Sequence, residues 1–242
     1  RTPMRVAQAV GADHALNWYR EAIRLWRRGA GTFALLALAV LVTEIVLTLI
    51  PVGGTLLAQL VLPLVACGLL YASLAADRGD RPRLAHLVAV FAAPPRAIVA
   101  VIASGLVVFA GEAIVAYGLA GANLLEPLTG DPSIEPSTIL AIYVAGIAVS
   151  LPVTFVPFAV LFDDAGIAEA FAESWRAFVR NPVPMLLYGV LSLALLVLGW
   201  ATYGVGLVIA LPWWAASSYA AWKDVFAVDA GPAPPGASTP RP

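Results

Sequence analysis

Apolar residues in this chain run in long blocks, separated by short stretches that carry most of the charge. Six blocks are long enough to cross a hydrocarbon core, which takes about 20 apolar residues. They are Thr32–Ile50, Leu56–Ala76, Ala97–Ala120, Thr138–Phe162, Met185–Gly199 and Tyr203–Trp222. The fifth is short and reads better if it begins at Pro184. The first follows an arginine-rich helical segment and has no small-residue cleavage site behind it, so it reads as a span rather than a signal peptide.

Three shorter stretches have a different period. Leu16, Tyr19, Ile23 and Trp26 recur at spacings of three and four, and so do Leu84, Leu87, Val88 and Phe91, then Ile167, Phe171, Trp175 and Phe178. That spacing places each set on one stripe of a helix. A breaker pair follows each stripe: Gly29-Ala30, Pro94-Pro95 and Asn181-Pro182. Proline removes a backbone donor and disfavours helix before it, so the chain turns there. Asp13 and Asp164 read as N-caps of the first and third short helices, and Pro82 suits the first turn of the second.

The pattern predicts an all-α, polytopic membrane protein with six transmembrane helices. They form three repeats of an amphipathic interfacial helix plus a transmembrane hairpin. The second span of each repeat holds a proline and ends at an aspartate: Pro63 and Asp77, Pro152 and Asp164, Pro212 and Asp224. Residues 1–31 read as a cytoplasmic segment with an amphipathic helix, 32–228 as the membrane domain, and 229–242, rich in Pro, Ala and Gly, as a disordered tail.

Composition agrees. The chain has 242 residues, 61% hydrophobic and 12% charged, with mean hydropathy +0.87, too little charge to coat a soluble surface and too much apolar surface for a disordered chain. Net charge is −1, so nothing points to nucleic acid. The single cysteine, Cys67, excludes an intrachain disulfide. All fourteen Lys and Arg fall on one side of the six-span arrangement. Basic loops stay cytoplasmic, so both termini are expected inside. Arginine-heavy usage with much Ala, Gly and Pro suggests a bacterial inner membrane.

Candidate chemistry is sparse. Arg20, Arg24, Arg27 and Arg28 cluster toward the end of the first short helix. They either contact anionic lipid headgroups, each contributing about 1 kcal/mol near such a surface, or only hold the N-terminus inside. Two carboxylates interrupt apolar spans, Glu44 in the first and Glu112 in the third. An acid deep in hydrocarbon costs on the order of 3 kcal/mol, so each is expected to face protein or water. They read as a proton or cation site, or as carboxyls hydrogen-bonded to lock helix packing; the second is the expectation. Beside Glu112, a column of small residues (Ala97, Ser104, Gly111, Gly118) suits close helix approach. Glu126, Asp131 and Glu135 make an acidic outer loop without calcium-loop spacing. His14 and His86 lack partners at ligand spacing, and no Walker A, GxSxG, HExxH or CxxC motif occurs. No cofactor, no metal and no catalytic activity are expected.

Certain motifs carry a resemblance: Trp26-Arg27-Arg28-Gly29, Tyr71 to Asp77 followed by Arg78-Gly79, Phe178-Val179-Arg180-Asn181-Pro182, and Ser218-Tyr219-Ala220-Ala221-Trp222-Lys223-Asp224. In these the chain resembles a group of uncharacterised bacterial six-helix inner-membrane proteins. That group looks related to the membrane domain accompanying some glycerophosphodiester phosphodiesterases. The resemblance implies a multi-pass helical fold and no activity, since the phosphodiesterase barrel is absent. Two functions stay open. One is a non-enzymatic module binding membrane lipids or a membrane-protein partner, a second copy included, in assembly or envelope maintenance. The other is a small transporter or channel using Glu44 and Glu112.

The charge asymmetry yields a direct test. A thiol introduced by Asp131→Cys should react with an impermeant reagent from outside the cell, and one introduced by Arg81→Cys only from the cytoplasmic side. Reversed labelling would overturn the topology.

Overall fold

The computed structural model describes residues 6–51, 53–125 and 135–228. The expected tail and the loop acids Glu126 and Asp131 lie outside the described residues. The described chain is helical, without a strand. In order come α1 (His14–Arg27), α2 (Ala30–Thr48), α3 (Gly54–Asp77), a 3-10 segment (Leu84–Ala92), α4 (Pro95–Ala120) and α5 (Pro136–Ser150). A 3-10 turn (Leu151–Val153), α6 (Val156–Phe162), α7 (Ile167–Arg180), α8 (Pro182–Ala201) and α9 (Leu207–Val225) complete it.

Five runs are long and apolar enough to cross a membrane: α2, α3, α4, Pro136–Phe162 and α8. Helix α9 equals α2 in length, at 19 residues, but its last half carries Ser217, Ser218, Lys223 and Asp224, which dilute its apolar character. It begins later than Tyr203 because Tyr203 and Gly204 adopt positive φ, 54° and 84°, and turn the chain. Helix α8 begins earlier, at Pro182, where proline fits the first helical turn without losing a bonded N–H.

All three breaker pairs fall at helix junctions. Gly29 is needed for space: a Cβ there would sit 2.9 Å from Pro82 Cγ. Three local expectations fail. Asp164 does not cap α7; it adopts φ 56° and pairs with Arg96. Instead, the Gly166 N–H donates to Glu169 Oε2 at 3.0 Å. Asp13 precedes α1 without making a side-chain cap bond. The Leu84–Ala92 stretch is 3-10 rather than α-helical and starts after Pro82, with the Arg83 N–H donating to His86 Nδ1 at 3.2 Å.

The core lies toward the arginine-bearing end. Buried positions run Phe33–Val40 in α2, Leu64–Ala76 in α3, Ala97–Ser104 in α4 and Ala216–Val225 in α9, with few beyond them. At the opposite end Leu49, Ile114, Tyr117, Leu119 and Val205 are exposed. The small-residue column of α4 follows the same gradient. Ala97 and Ser104 are buried, Gly111 admits the Val149 side chain of α5, and Gly118 meets only open space.

The two ends of the chain are joined. Helix α1 packs along α9 through the buried seam Ala15, Trp18, Ala22 and Leu25. That seam is one position off the predicted stripe: Tyr19, Ile23 and Trp26 are half-buried and Leu16 is exposed. In α7 the buried seam is likewise Ala170, Ser174 and Ala177, leaving Trp175 exposed. The α7 seam is made of small residues, which let the helix backbone approach closely, whereas the α1 seam sets Trp18 and Leu25 between alanines.

Asn181, 1% exposed, ties down the segment before α1. Its Oδ1 accepts from the Val10 N–H at 2.8 Å, and its Nδ2 donates to Gln8 O at 2.9 Å and Ala177 O at 3.0 Å. Asn181→Ala strands these backbone groups and should cost about 2 kcal/mol. Limited proteolysis checks this: cleavage before His14 should speed up markedly, and unchanged protection would show that Asn181 is not the anchor.

Candidate functional site

The span-ending aspartates are where helices are joined. Asp77, at the end of α3, is buried, with its side chain 7% exposed. It accepts from Lys223 Nζ at 2.5 Å and Tyr219 Oη at 3.0 Å, both on α9, and from Arg24 at 3.4 Å on α1. Asp224, at the end of α9, accepts from Trp18 Nε1 at 2.8 Å and meets His14 Nδ1 at 2.6 Å. Asp164 pairs with Arg96, and both side chains are exposed. The Pro-to-Asp spacing marked these three residues, but their partners are distant in the sequence and could not be read from it.

A polar recess of about 440 Å³ opens beside Asp224, lined by His14, Asn17, Glu21 and Lys223 among others. His14 meets Asp224 across α1 and α9, while Glu21 accepts from Arg24 within α1 and Lys223 donates to Asp77 of α3. Among the described residues no cluster of His, Cys, Asp and Glu has metal-site geometry.

The arginine cluster divides. Arg24 bonds Glu21 and reaches Asp77; the bond from Glu21 pushes its pKa above the usual arginine value. Arg28 donates to Ala76 O at 2.5 Å, and Arg20 to Asn17 Oδ1 at 3.1 Å. Arg27 is exposed. Nearby titrating groups follow burial. It lowers the His86 pKa, helped by Arg83, and raises that of Glu173, helped by Glu169 and Asp163. The Tyr19 pKa also rises on burial, although its hydroxyl bonds Ser192 Oγ at 2.7 Å.

Glu112 lies within the electrostatic reach of Glu44, and Tyr143 of α5 within that of both. The Glu112 carboxyl lies against Gly146, where any Cβ would collide with it. The expected hydrogen bonds to a neighbouring helix are missing: neither carboxyl makes one among the described residues. Glu44 is exposed and Glu112 half-buried. Sequence placed both acids in spans; the reach of one to the other depends on the arrangement of α2, α4 and α5, which sequence did not give.

A cavity of about 250 Å³ lies where the packed end gives way to the looser half. Pro63 and Leu70 of α3, Val101 and Ser104 of α4, Pro157 of α6 and Trp214 of α9 are among its walls. Prolines lie in the helices around it: Pro63 inside α3 and Pro212 inside α9, both of which continue as α-helix, and Pro152 in the 3-10 turn between α5 and α6. Comparison with protein families, curated proteins and solved structures finds no match.

Burial ranks the aspartates. Asp77→Asn leaves Lys223 without its counter-ion and should destabilise by on the order of 3 kcal/mol. Asp164→Asn removes an exposed pair worth less than about 1 kcal/mol, and asparagine tolerates positive φ. Thermal unfolding in detergent should separate the two clearly; equal shifts would refute the ranking.

Proposed function

We propose that this protein is a non-enzymatic, six-span inner-membrane module that binds membrane lipids, with both termini cytoplasmic and α9 as the sixth span. The threefold repeat and the resemblance to uncharacterised six-helix inner-membrane proteins belong to the same proposal. One observation carries it. The short segments outside the candidate spans dock on the bundle, yet leave Leu16, Leu84, Val88, Phe91 and Trp175 exposed. The arginine cluster lies on the first of these segments. Apolar side chains dipping into the interface beside cations fit a bilayer surface with anionic headgroups.

A second reading, a proton or cation path, rests on Glu112 lying within the electrostatic reach of Glu44. Two unbonded acids in an apolar region call for water, a proton or a cation.

Lipid retention and flux separate the two readings. Arg20→Gln with Arg27→Gln spares the protein-bound Arg24 and Arg28 and should lower the anionic lipid retained on purification several-fold. Glu44→Gln with Glu112→Gln should change neither lipid retention nor proton flux in proteoliposomes. If the arginine variant retains lipid normally, the lipid reading fails. A wild-type flux abolished by the glutamine pair would put the transport reading in its place.

A further inference from the structure

We propose that the central cavity holds the hydrocarbon chain of a membrane lipid, a chain-binding site separate from the headgroup contacts at the arginines. The inference deepens the lipid-binding reading and rests on it.

The cavity walls are chemically one-sided. Most of the lining is apolar, and the hydroxyl groups in it are already committed. Ser104 donates to Val101 O, Ser150 to Ile147 O and Ser218 to Ala215 O, each at 2.8 Å. Thr154 donates to Ser150 O at 2.8 Å, and the Cys67 thiol to Pro63 O at 3.2 Å. A wall whose donors are spent on its own helices presents an apolar face. Water needs two to four polar partners to be held, and such a wall offers it hydroxyl acceptors but few free donors.

One lining side chain differs. The Tyr188 hydroxyl is buried without a hydrogen-bond partner. Ser192, Ser217 and Trp214 are its polar neighbours, and the serine protons are spent on backbone, Ser192 Oγ on Tyr188 O and Ser217 Oγ on Trp214 O, each at 2.9 Å. A buried hydroxyl without a bond costs about 1–3 kcal/mol. The ester carbonyl of a lipid chain would bring this hydroxyl an acceptor.

Size and place agree with a single chain. An apolar cavity of about 150 Å³ admits benzene, so about 250 Å³ suits a segment of one chain and is smaller than a pocket for a bulky ligand. Ser104 is nine residues from Pro95, and Leu70 seven from Asp77. At about 1.5 Å per residue the cavity therefore begins roughly 10–14 Å from the arginine-bearing ends of these spans. That depth lies within the hydrocarbon layer. The cavity is not sealed.

The test uses the whole protein in nanodiscs of neutral phosphatidylcholine whose chain carries a photoactivatable diazirine. After irradiation, peptide mass spectrometry should find crosslinks at Leu70, Val101 and Leu211 in the cavity wall, as well as on the outer face at Leu186 and Val190. Ala66→Phe with Ala215→Phe, which fills the space, should reduce the wall crosslinks at least five-fold and leave the outer-face crosslinks unchanged. Outer-face labelling without wall labelling in the wild type would overturn the proposal, whatever the variant does. So would rapid reaction of Cys67, the sole cysteine, with a membrane-impermeant maleimide, because that would mean a water-filled cavity. A neutral lipid keeps this outcome independent of the arginines: failure of headgroup retention and failure of chain capture are read in different samples.

Discussion

The arrangement depends on two carboxylates at helix ends, Asp77 and Asp224, and on the donors they gather from α1 and α9. A short polar helix gains little from an apolar environment, so α1 needs a specific reason to lie against the bundle. Trp18 supplies it by burying its ring in the α9 seam while its N–H reaches Asp224. Arg24 reaches Asp77 from the next turn. Once α1 is held, the segment before it runs back to Asn181 and to Val225 O. The first and last parts of the chain thus close one end of the bundle. The core follows from that closure: Phe158, Phe162, Tyr219 and Trp222 pack as one aromatic cluster at the same end.

At the opposite end no ion pair joins the helices among the described residues. Only about a fifth of the apolar windows of α2 and α4 is buried, 22% and 17% respectively, and the side chains there point outward. In water this would be an unstable surface. In hydrocarbon it costs little, because lipid chains solvate Leu and Val as well as protein does. The asymmetry therefore makes sense only for a protein embedded in lipid. The composition led to the same inference.

Most of the fold was legible because its signals are local. Apolar length gave the helices, and Gly29, Pro95 and Pro182 marked their junctions. The helical stripes were displaced by one position in α1 and α7 because the reading favoured large apolar side chains. Close packing in α7 instead selected Ala170, Ser174 and Ala177, and in α1 it paired Ala15 and Ala22 with Trp18 and Leu25. Asp164 was misread as a cap for a related reason. A cap is a local motif, but this residue answers to Arg96, 68 positions away. The reach of Glu44 to Glu112 and the cavity between six helices lay beyond any local pattern.

The tight end and the loose end also divide the chemistry. Asp77, a buried acid at the tied end, has direct cationic and hydroxyl partners. Glu44 and Glu112 have none among the described residues. A polar lock needs donors in place, as Asp77 shows within the same molecule, and these two carboxyls lack them. Glu112 packs by shape instead: its carboxyl lies over Gly146, where α4 and α5 meet closely. What the two acids add to that region is polarity among apolar side chains, and a polar group among apolar helices is stabilised by a proton, water or a cation rather than by the packing around it.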